Sequence, residues 1–150
     1  MTSSSSLTPD KIRFVDYIIP SFEISSDEGY VVTEAPGFNY KLDFDLQFND
    51  KDKLIRADLQ IEMTAEHEGS KASGRIGIIF LYQVESYSEL ITSGGNDKPV
   101  KVEGKLSIAI ASITYSTARG ILLTKLECTP FSGFVLPVID PYVLVKSNEK

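Results

Sequence analysis

One long apolar segment dominates this chain, and it reads Lys105-Leu-Ser-Ile-Ala-Ile-Ala-Ser-Ile-Thr-Tyr-Ser-Thr-Ala-Arg-Gly-Ile-Leu-Leu-Thr-Lys-Leu-Glu127. The segment contains no proline and a single glycine, Gly120. Its apolar residues recur every three or four positions, which places them on one face of an α-helix. At about 1.5 Å per residue such a helix is about 35 Å long, enough to cross a small domain. The sequence therefore predicts a long central helix over residues 105–128.

Apolar residues also fill the neighbouring stripes of this helix, so one sheet could not cover all of them and leave only polar surface in water. Small residues such as Ala109, Ser112 and Ser116 would let another backbone approach closely. We interpret one side as packing on the chain's own sheet and another side as packing on a second subunit. The alternative is a central helix that is buried within a monomer.

Composition and charge argue against several classes of function. The 150 residues, of which 42% are hydrophobic, are enough to bury the core of one domain. The formal net charge of -6 and the lack of a basic stripe argue against nucleic acids and anionic membranes as partners. The single cysteine, Cys128, cannot form an internal disulfide, which fits a cytoplasmic protein.

The beginning of the chain and its apolar runs bear on targeting. Residues 1–8 lack the basic and apolar regions of a signal peptide, and we expect them to be a short disordered lead. No uninterrupted apolar run is long enough to span a bilayer, so direct membrane insertion is not expected.

The clearest strand pattern lies between Phe38 and Phe48, where apolar and polar residues alternate. The same alternation runs from Ile55 to Ala65, after a hairpin turn at 49–52. A longer turn at 68–74 then leads to a third strand from Ile76 to Val84, which is more continuously apolar. These segments predict an antiparallel meander of three long strands.

A further strand precedes the meander and an apolar segment follows the helix. Residues 12–24 alternate around a break at Pro20, which favours an edge position in the sheet. Pro130 and Gly133 end the long helix, and residues 129–145 form an apolar crossover. We therefore predict a single α+β domain over residues 1–150, in which a four-stranded antiparallel β-meander at 10–86 packs on one long α-helix.

Few side chains in the sequence are suited to catalysis. His67 is the only histidine, and its place at a strand end near a glycine turn is typical of a structural residue. One histidine and one cysteine cannot build a zinc site of the usual composition. Gly94-Gly95 lacks the strand and helix that flank a phosphate-binding loop. The sequence predicts no catalytic residues, no metal site and no cofactor, and we do not expect an enzyme.

Apolar residues are in excess in the strand at 38–48 and in the crossover at 131–139. Surplus apolar surface of this kind is typical of a groove for extended polypeptide or of a subunit interface. Ordinary core packing is the alternative for many of these residues. A monomer of this size could bury either segment, but scarcely both together with a helix that is apolar on all sides.

The long helix and the crossover carry two motifs at a fixed spacing. Ala118-Arg119 is followed, after nine residues, by Thr129-Pro-Phe-Ser-Gly-Phe-Val-Leu-Pro-Val-Ile-Asp140. This arrangement resembles the SecB export chaperone family, which carries Ala-Arg in its long helix and then a crossover of the form Gly/Thr-Phe-Pro-x-Leu-x-Leu-x-Pro-Val-Asn. Asp16 with Ser21-Phe22-Glu23 is similar to the family's first strand, and residues 41–46 are similar to its second.

The resemblance implies an ATP-independent holdase, a homotetramer built as a dimer of dimers, that binds unfolded or nascent polypeptides in apolar grooves. In that family, clients lie along the second strand and under the crossover. Carried over to this chain, client contacts are expected at Tyr40, Leu42, Phe44, Phe131, Phe134, Leu136 and Val138. Contacts between subunits are expected at Ile110, Ile113, Tyr115 and Ile121.

The chain also departs from the family. The proline that begins the family's long helix is absent, since Ser112-Ile-Thr-Tyr-Ser-Thr117 stands there. The second helix, after Asp140, is expected to be no more than one turn. The acidic C-terminal tail is missing, which puts docking to the export motor SecA in doubt. Service to export, to a toxin–antitoxin pair or to general folding is therefore open.

Two other functions are compatible with the same fold. A small-molecule module would enclose an apolar ligand between sheet and crossover, and would be a monomer or dimer with a closed cavity. A structural assembly protein would use all of its apolar faces in self-association. A tetrameric mass separates the ligand module from the other two, and apolar surface that stays open after assembly separates the chaperone from the assembly protein.

Overall fold

A computed structural model describes residues 11–30, 37–85, 87, 91–92, 101–102 and 104–147. The expected lead at 1–8 lies outside these residues. The strands are β1 (Ile12–Ser26), β2 (Gly37–Asn49), β3 (Leu54–His67), β4 (Ser70–Val84), β5 (Ile91–Thr92) and β6 (Lys101–Val102). The helices are α1 (Gly104–Lys125) and α2 (Pro141–Ser147).

The main sheet is antiparallel, with the strand order β1-β4-β3-β2. Strands β2 to β4 form the predicted meander, and with the long helix α1 they confirm the α+β fold. Strand β1 does not pair with its neighbour in sequence; it closes the other side of the sheet by pairing with β4. As predicted, Pro20 lies in an edge strand. It falls in a register shift between Ile18 and Ser21, where its missing N–H interrupts no regular ladder.

The two hairpin turns of the meander differ in how well they were predicted. The turn after β2 lies where expected, and the Asn49 side-chain oxygen accepts a hydrogen bond from the Asp52 N–H at 3.1 Å. The turn after β3 is only Glu68–Gly69, with φ values of 51° and 84°, so the prediction of a turn over 68–74 was wrong. Two successive left-handed residues suit the tightest hairpins. The small buried residues Ala72 and Gly74 belong to β4, and their size hid the strand pattern.

Helix α1 covers the apolar face of the sheet. Its buried residues are Leu106, Ser107, Ile110, Ala111, Thr114, Tyr115, Ala118 and Leu122. Thr114 reaches the sheet through a buried 2.8 Å hydrogen bond between its Oγ1 and the Tyr82 hydroxyl. Burial raises the pKa of Tyr82 to about 12, while this hydrogen bond lowers it slightly.

Helix α1 is 22 residues long and apolar enough to cross a membrane by length and composition alone. Polar residues such as Ser112 and Arg119 lie within it, so it is not an uninterrupted apolar run, and the expectation that the chain does not insert into a membrane stays a prediction. The core helix of a globular protein can have the same length and composition, and 44% of the most apolar 18-residue stretch of α1 is buried inside the protein. Two polar residues, Ser107 and Thr114, interrupt its apolar run and are themselves buried.

Helix α2 has seven residues, which is more than the single turn expected after Asp140. The Asp140 carboxylate accepts a hydrogen bond from the Tyr142 N–H at 3.0 Å, and the Asp140 carbonyl accepts one from Val143. Asp at the N-cap followed by proline at the first helical position is a strong helix start. That signal, Asp140-Pro141, was present in the sequence.

Candidate functional site

The crossover between α1 and α2 is shaped by local hydrogen bonds. Thr129 Oγ1 donates to the Leu126 carbonyl at 2.7 Å and accepts from the Phe131 N–H at 3.1 Å. Cys128 and Gly133 have left-handed φ values of 64° and 91°. These turns allow the chain to leave the helix and lie back over the sheet.

Aromatic side chains attach the crossover to β2. The ring of Phe134 lies 5.4 Å from Phe38 and 5.9 Å from Tyr40 between centroids, and both pairs meet edge to face. Phe131 lies 6.1 Å from the same Phe38 ring. Such pairs contribute beyond their buried area, about 0.5–1.5 kcal/mol each. The crossover therefore packs on the side chains of one face of β2 through apolar and aromatic contacts.

Gly74 makes room for this packing. A Cβ atom at that position would lie 3.0 Å from Met63 Cε and 3.1 Å from Phe131 Cε2. Any side chain there would therefore push against the ring of Phe131 or against Met63. The sequence reading placed Gly74 in a turn and missed this role; a glycine within an otherwise alternating strand was the available signal.

Tyr115 fastens the crossover to the long helix. Its hydroxyl donates a short hydrogen bond to the Pro137 carbonyl oxygen. Burial raises the pKa of Tyr115, nearby Tyr40 raises it further, and the positive charge of Arg119 lowers it. The hydroxyl is thus held in its neutral, donating form next to the crossover.

The structure places most of the expected client-contacting residues in the core of the protomer. Tyr40 is 37% exposed and Val138 is 82% exposed. Leu42 is partly buried, and the remaining four residues are buried, namely Phe44, Phe131, Phe134 and Leu136. A client that contacts these four requires the crossover to move away from β2. Their role in client binding stays a prediction.

The residues expected at the subunit interface also differ in burial, two of them being buried and two partly buried. Ile110 is 0% exposed and Tyr115 is 5% exposed, so in this conformation both belong to the protomer core, and a subunit contact through them stays a prediction. They face the sheet and the crossover because α1 turns its most apolar stripe inward. Ile113 and Ile121 are only partly buried, and a contact through them stays a prediction.

The sequence reading missed the largest exposed apolar surface. Five of the eleven exposed large hydrophobic residues among those described lie on β1, and each is 41–55% exposed. We call this the β1 surface: Phe14, Val15, Tyr17, Ile18 and Phe22. Tyr17 stacks on buried Phe80 at 6.3 Å, and Phe14 meets Tyr82 edge to face at 5.7 Å. The signal was the apolar run Tyr17-Ile18-Ile19, which puts apolar side chains on both faces of an edge strand.

A second exposed apolar surface lies at the end of the crossover and on α2. We call it the crossover surface: Val135, Val138, Tyr142 and Val143, all of them exposed. These side chains point outward from the segment whose other residues hold it to β2. Within the described ranges, no three His, Cys, Asp or Glu residues are placed to hold a metal ion together. What the site offers is therefore apolar surface.

No family model and no curated protein matches this sequence. Among solved structures, the chain is similar to the Mycobacterium tuberculosis SecB-like chaperone Rv1957 in complex with a ChAD peptide from the Rv1956 HigA1 antitoxin. The TM-score is 0.59 at 10% identity, over 87% of this chain and 92% of the other, which shows a shared fold. A Streptococcus agalactiae protein of unknown function is matched at a TM-score of 0.32 and 14% identity, over 85% of this chain and 97% of that one, which is too distant for an argument.

Proposed function

We propose that this SecB-like fold serves as an ATP-independent holdase chaperone that binds unfolded polypeptide. One observation carries the proposal: large hydrophobic side chains are exposed on the β1 surface and on the crossover surface. Scattered exposed apolar residues are ordinary, but a contiguous apolar strand is typical of a protein-binding face. Burial of apolar client side chains needs no nucleotide, because the hydrophobic effect alone drives it.

We propose that clients bind at the crossover surface and the adjoining part of β2. Strand β2 is an edge strand, so its outer backbone groups can pair with an extended chain. Tyr40 is exposed on this strand and touches Phe134 of the crossover. Full burial of a large apolar side chain contributes about 1.5–3 kcal/mol, so a few such contacts support micromolar binding after the entropic cost of association.

The β1 surface, by contrast, is proposed to bind a second copy of the chain. It lies on the opposite edge of the sheet from β2, so self-association there leaves the client edge open. The homotetramer implied by the family resemblance would use this surface together with the partly buried side of α1. We place this assembly in the cytoplasm, with no catalytic role and no cofactor.

The similar chaperone from Mycobacterium tuberculosis was solved with a peptide from an antitoxin. This supports a short polypeptide segment as the kind of client that the fold accepts. We propose the same class of client here, whether it belongs to a dedicated partner or to many nascent chains.

A small-molecule module is less favoured by the pockets among the described residues. Two of them, of about 440 and 370 Å³, are lined mainly by polar residues of the sheet, including Ser25, Thr64 and Ser73. An apolar ligand would need an enclosed apolar cavity instead.

A pure assembly protein would bury the crossover surface as well as the β1 surface.

Suppression of aggregation tests the proposal. A denatured, slowly folding client is diluted into buffer without nucleotide, and light scattering is followed with and without the protein. We expect suppression at about one assembly per client, and co-elution of client and protein in gel filtration. Val135→Asp should weaken suppression about tenfold, because a carboxylate would be desolvated by the client.

Thr124→Asp is the matched control, since it adds the same charge to an exposed position on α1. Failure of the unaltered protein to suppress aggregation of several clients would contradict the holdase proposal. Full suppression by Val135→Asp would contradict only the place of the client.

A further inference from the structure

A small pocket lies between α1 and the end of the crossover. It has a volume of about 150 Å³. Its lining includes Ser112, Ser116 and Arg119 of the helix, and Val138 and Ile139 of the crossover. One wall is Tyr115, whose hydroxyl is already used by the Pro137 carbonyl.

Arg119 is the only charged residue in this lining, and its hydrogen-bonding capacity is not used. The Nε atom is shielded from solvent and has no hydrogen-bond partner among the described residues. No carboxylate in the described ranges lies within ion-pair distance of the guanidinium. A buried N–H group without a partner is rare in native proteins and calls for an acceptor.

Size and chemistry limit what that acceptor can be. A water molecule occupies about 30 Å³ in the liquid, so the pocket holds the equivalent of about five waters. That is below the 300 Å³ or more of ordinary small-molecule sites, but it is room for one short side chain or chain end. The planar guanidinium binds a carboxylate with two parallel hydrogen bonds. The hydroxyls of Ser112 and Ser116 add further donors.

We propose that the Arg119 pocket binds one carboxylate of a polypeptide that lies on the crossover surface. The inference rests on the proposed polypeptide binding and adds a preference to it. Val138 belongs both to the pocket and to the crossover surface, so an extended client on that surface passes the mouth of the pocket. The chain's net charge of -6 repels acidic polypeptides at long range. The preference is therefore for a single carboxylate among apolar residues.

Calorimetric titration with three synthetic peptides tests the pocket. The first is an acetylated and amidated ten-residue peptide of alternating apolar and serine residues with one central glutamate. The second has glutamine instead, and the third is the glutamine peptide with a free C-terminal carboxylate. We expect the protein to bind the first or the third about tenfold more tightly than the second, as for a buried charge-assisted hydrogen bond.

Variants of the pocket make the test specific. Arg119→Gln should remove the preference and leave binding of the glutamine peptide unchanged. Lys105→Gln is the matched control, because it removes the same charge from an exposed position on the same helix. Ser116→Glu provides a second route that keeps Arg119: its carboxylate lies one turn before Arg119 and should occupy the guanidinium, which also removes the preference.

The outcomes separate the two proposals. Equal affinity for all three peptides overturns the carboxylate pocket and leaves polypeptide binding in place. Absence of binding by any peptide also overturns the pocket, and the aggregation assay then decides whether the holdase proposal falls with it. Another outcome is that the unaltered protein shows no preference among the peptides while Arg119→Gln changes the mass of the assembly in solution. That result means that a second copy of the chain supplies the carboxylate, and it overturns the inference as well.

Discussion

The two edge strands of the sheet carry similar aromatic residues, but these residues are covered on one strand and exposed on the other. On β2, Phe38 is covered by Phe131 and Phe134 of the crossover. On β1, Phe14 and Tyr17 pack against sheet aromatics on one side and remain more than 40% exposed. The difference is set by a segment far away in sequence, because the crossover places its aromatic rings on Phe38, whereas the rings that meet Phe14 and Tyr17 belong to the sheet. An aromatic residue on an edge strand becomes core or exposed surface according to what covers it.

Phe131→Ala should have the largest effect, because it removes the ring that covers Phe38 and fills the space above Gly74. Truncation of a buried phenylalanine costs about 3–5 kcal/mol of unfolding free energy. Urea unfolding followed by circular dichroism measures it. Val138→Ala, in the same segment but exposed, should change stability by less than about 0.5 kcal/mol. Similar losses in both variants would mean that the crossover does not pack on the face of β2 as described.

Gly74→Ala should have the next largest effect. The new methyl group would meet Phe131 Cε2 and Met63 Cε at 3.1 and 3.0 Å, and overpacking of this kind costs about 1–3 kcal/mol. The double variant Gly74→Ala, Phe131→Leu should recover part of the loss, since the smaller side chain makes room. Purely additive losses in the thermal midpoints would contradict the contact between Gly74 and the crossover.

Tyr115→Phe should loosen the crossover without unfolding the sheet. Loss of the hydrogen bond to the Pro137 carbonyl costs about 1 kcal/mol, and the carbonyl can turn to water instead. Hydrogen exchange should become faster at residues 133–139 and remain unchanged in β4. Tyr82→Phe, which loses its hydrogen bond to Thr114, is the comparison on the sheet side. Faster exchange across the whole protein would mean that Tyr115 supports the core and does not specifically hold the crossover.

Tyr17→Ser should change stability least of all, by less than about 1 kcal/mol, because the side chain is 43% exposed. Its expected effect is on mass in solution, since it removes an aromatic ring from the β1 surface that is proposed to bind a second copy. Multi-angle light scattering across a range of concentrations measures it. An unchanged mass from an assembled protein would place the interface elsewhere, for instance on Ile113 and Ile121.

Periodicity was sufficient to predict the meander, the long helix and the edge position of Pro20. Those features follow from local patterns, since alternation and helical spacing are read within one segment. Periodicity could not predict the pairing of β1 with β4 or the return of the crossover over β2, because both depend on contacts between distant segments. Phe44 and Phe131 were therefore predicted as binding surface, whereas the structure buries them. Arg119 was noted only as part of a motif, since the lack of a partner is visible only in three dimensions.

The pairing of β1 with β4 has a consequence for the order of folding. Glu66 pairs with Lys71 across a two-residue turn, whereas Ile12 pairs with Val84, from which it is separated by the whole of β2 and β3 in sequence. Loop closure is slower and less favourable for the longer connection, so we expect the meander to form first and β1 to dock last. Until then, the free edge of β4 can accept β1 from another molecule equally well. At high concentration during refolding, exchange of this first strand between chains is the expected misassembly.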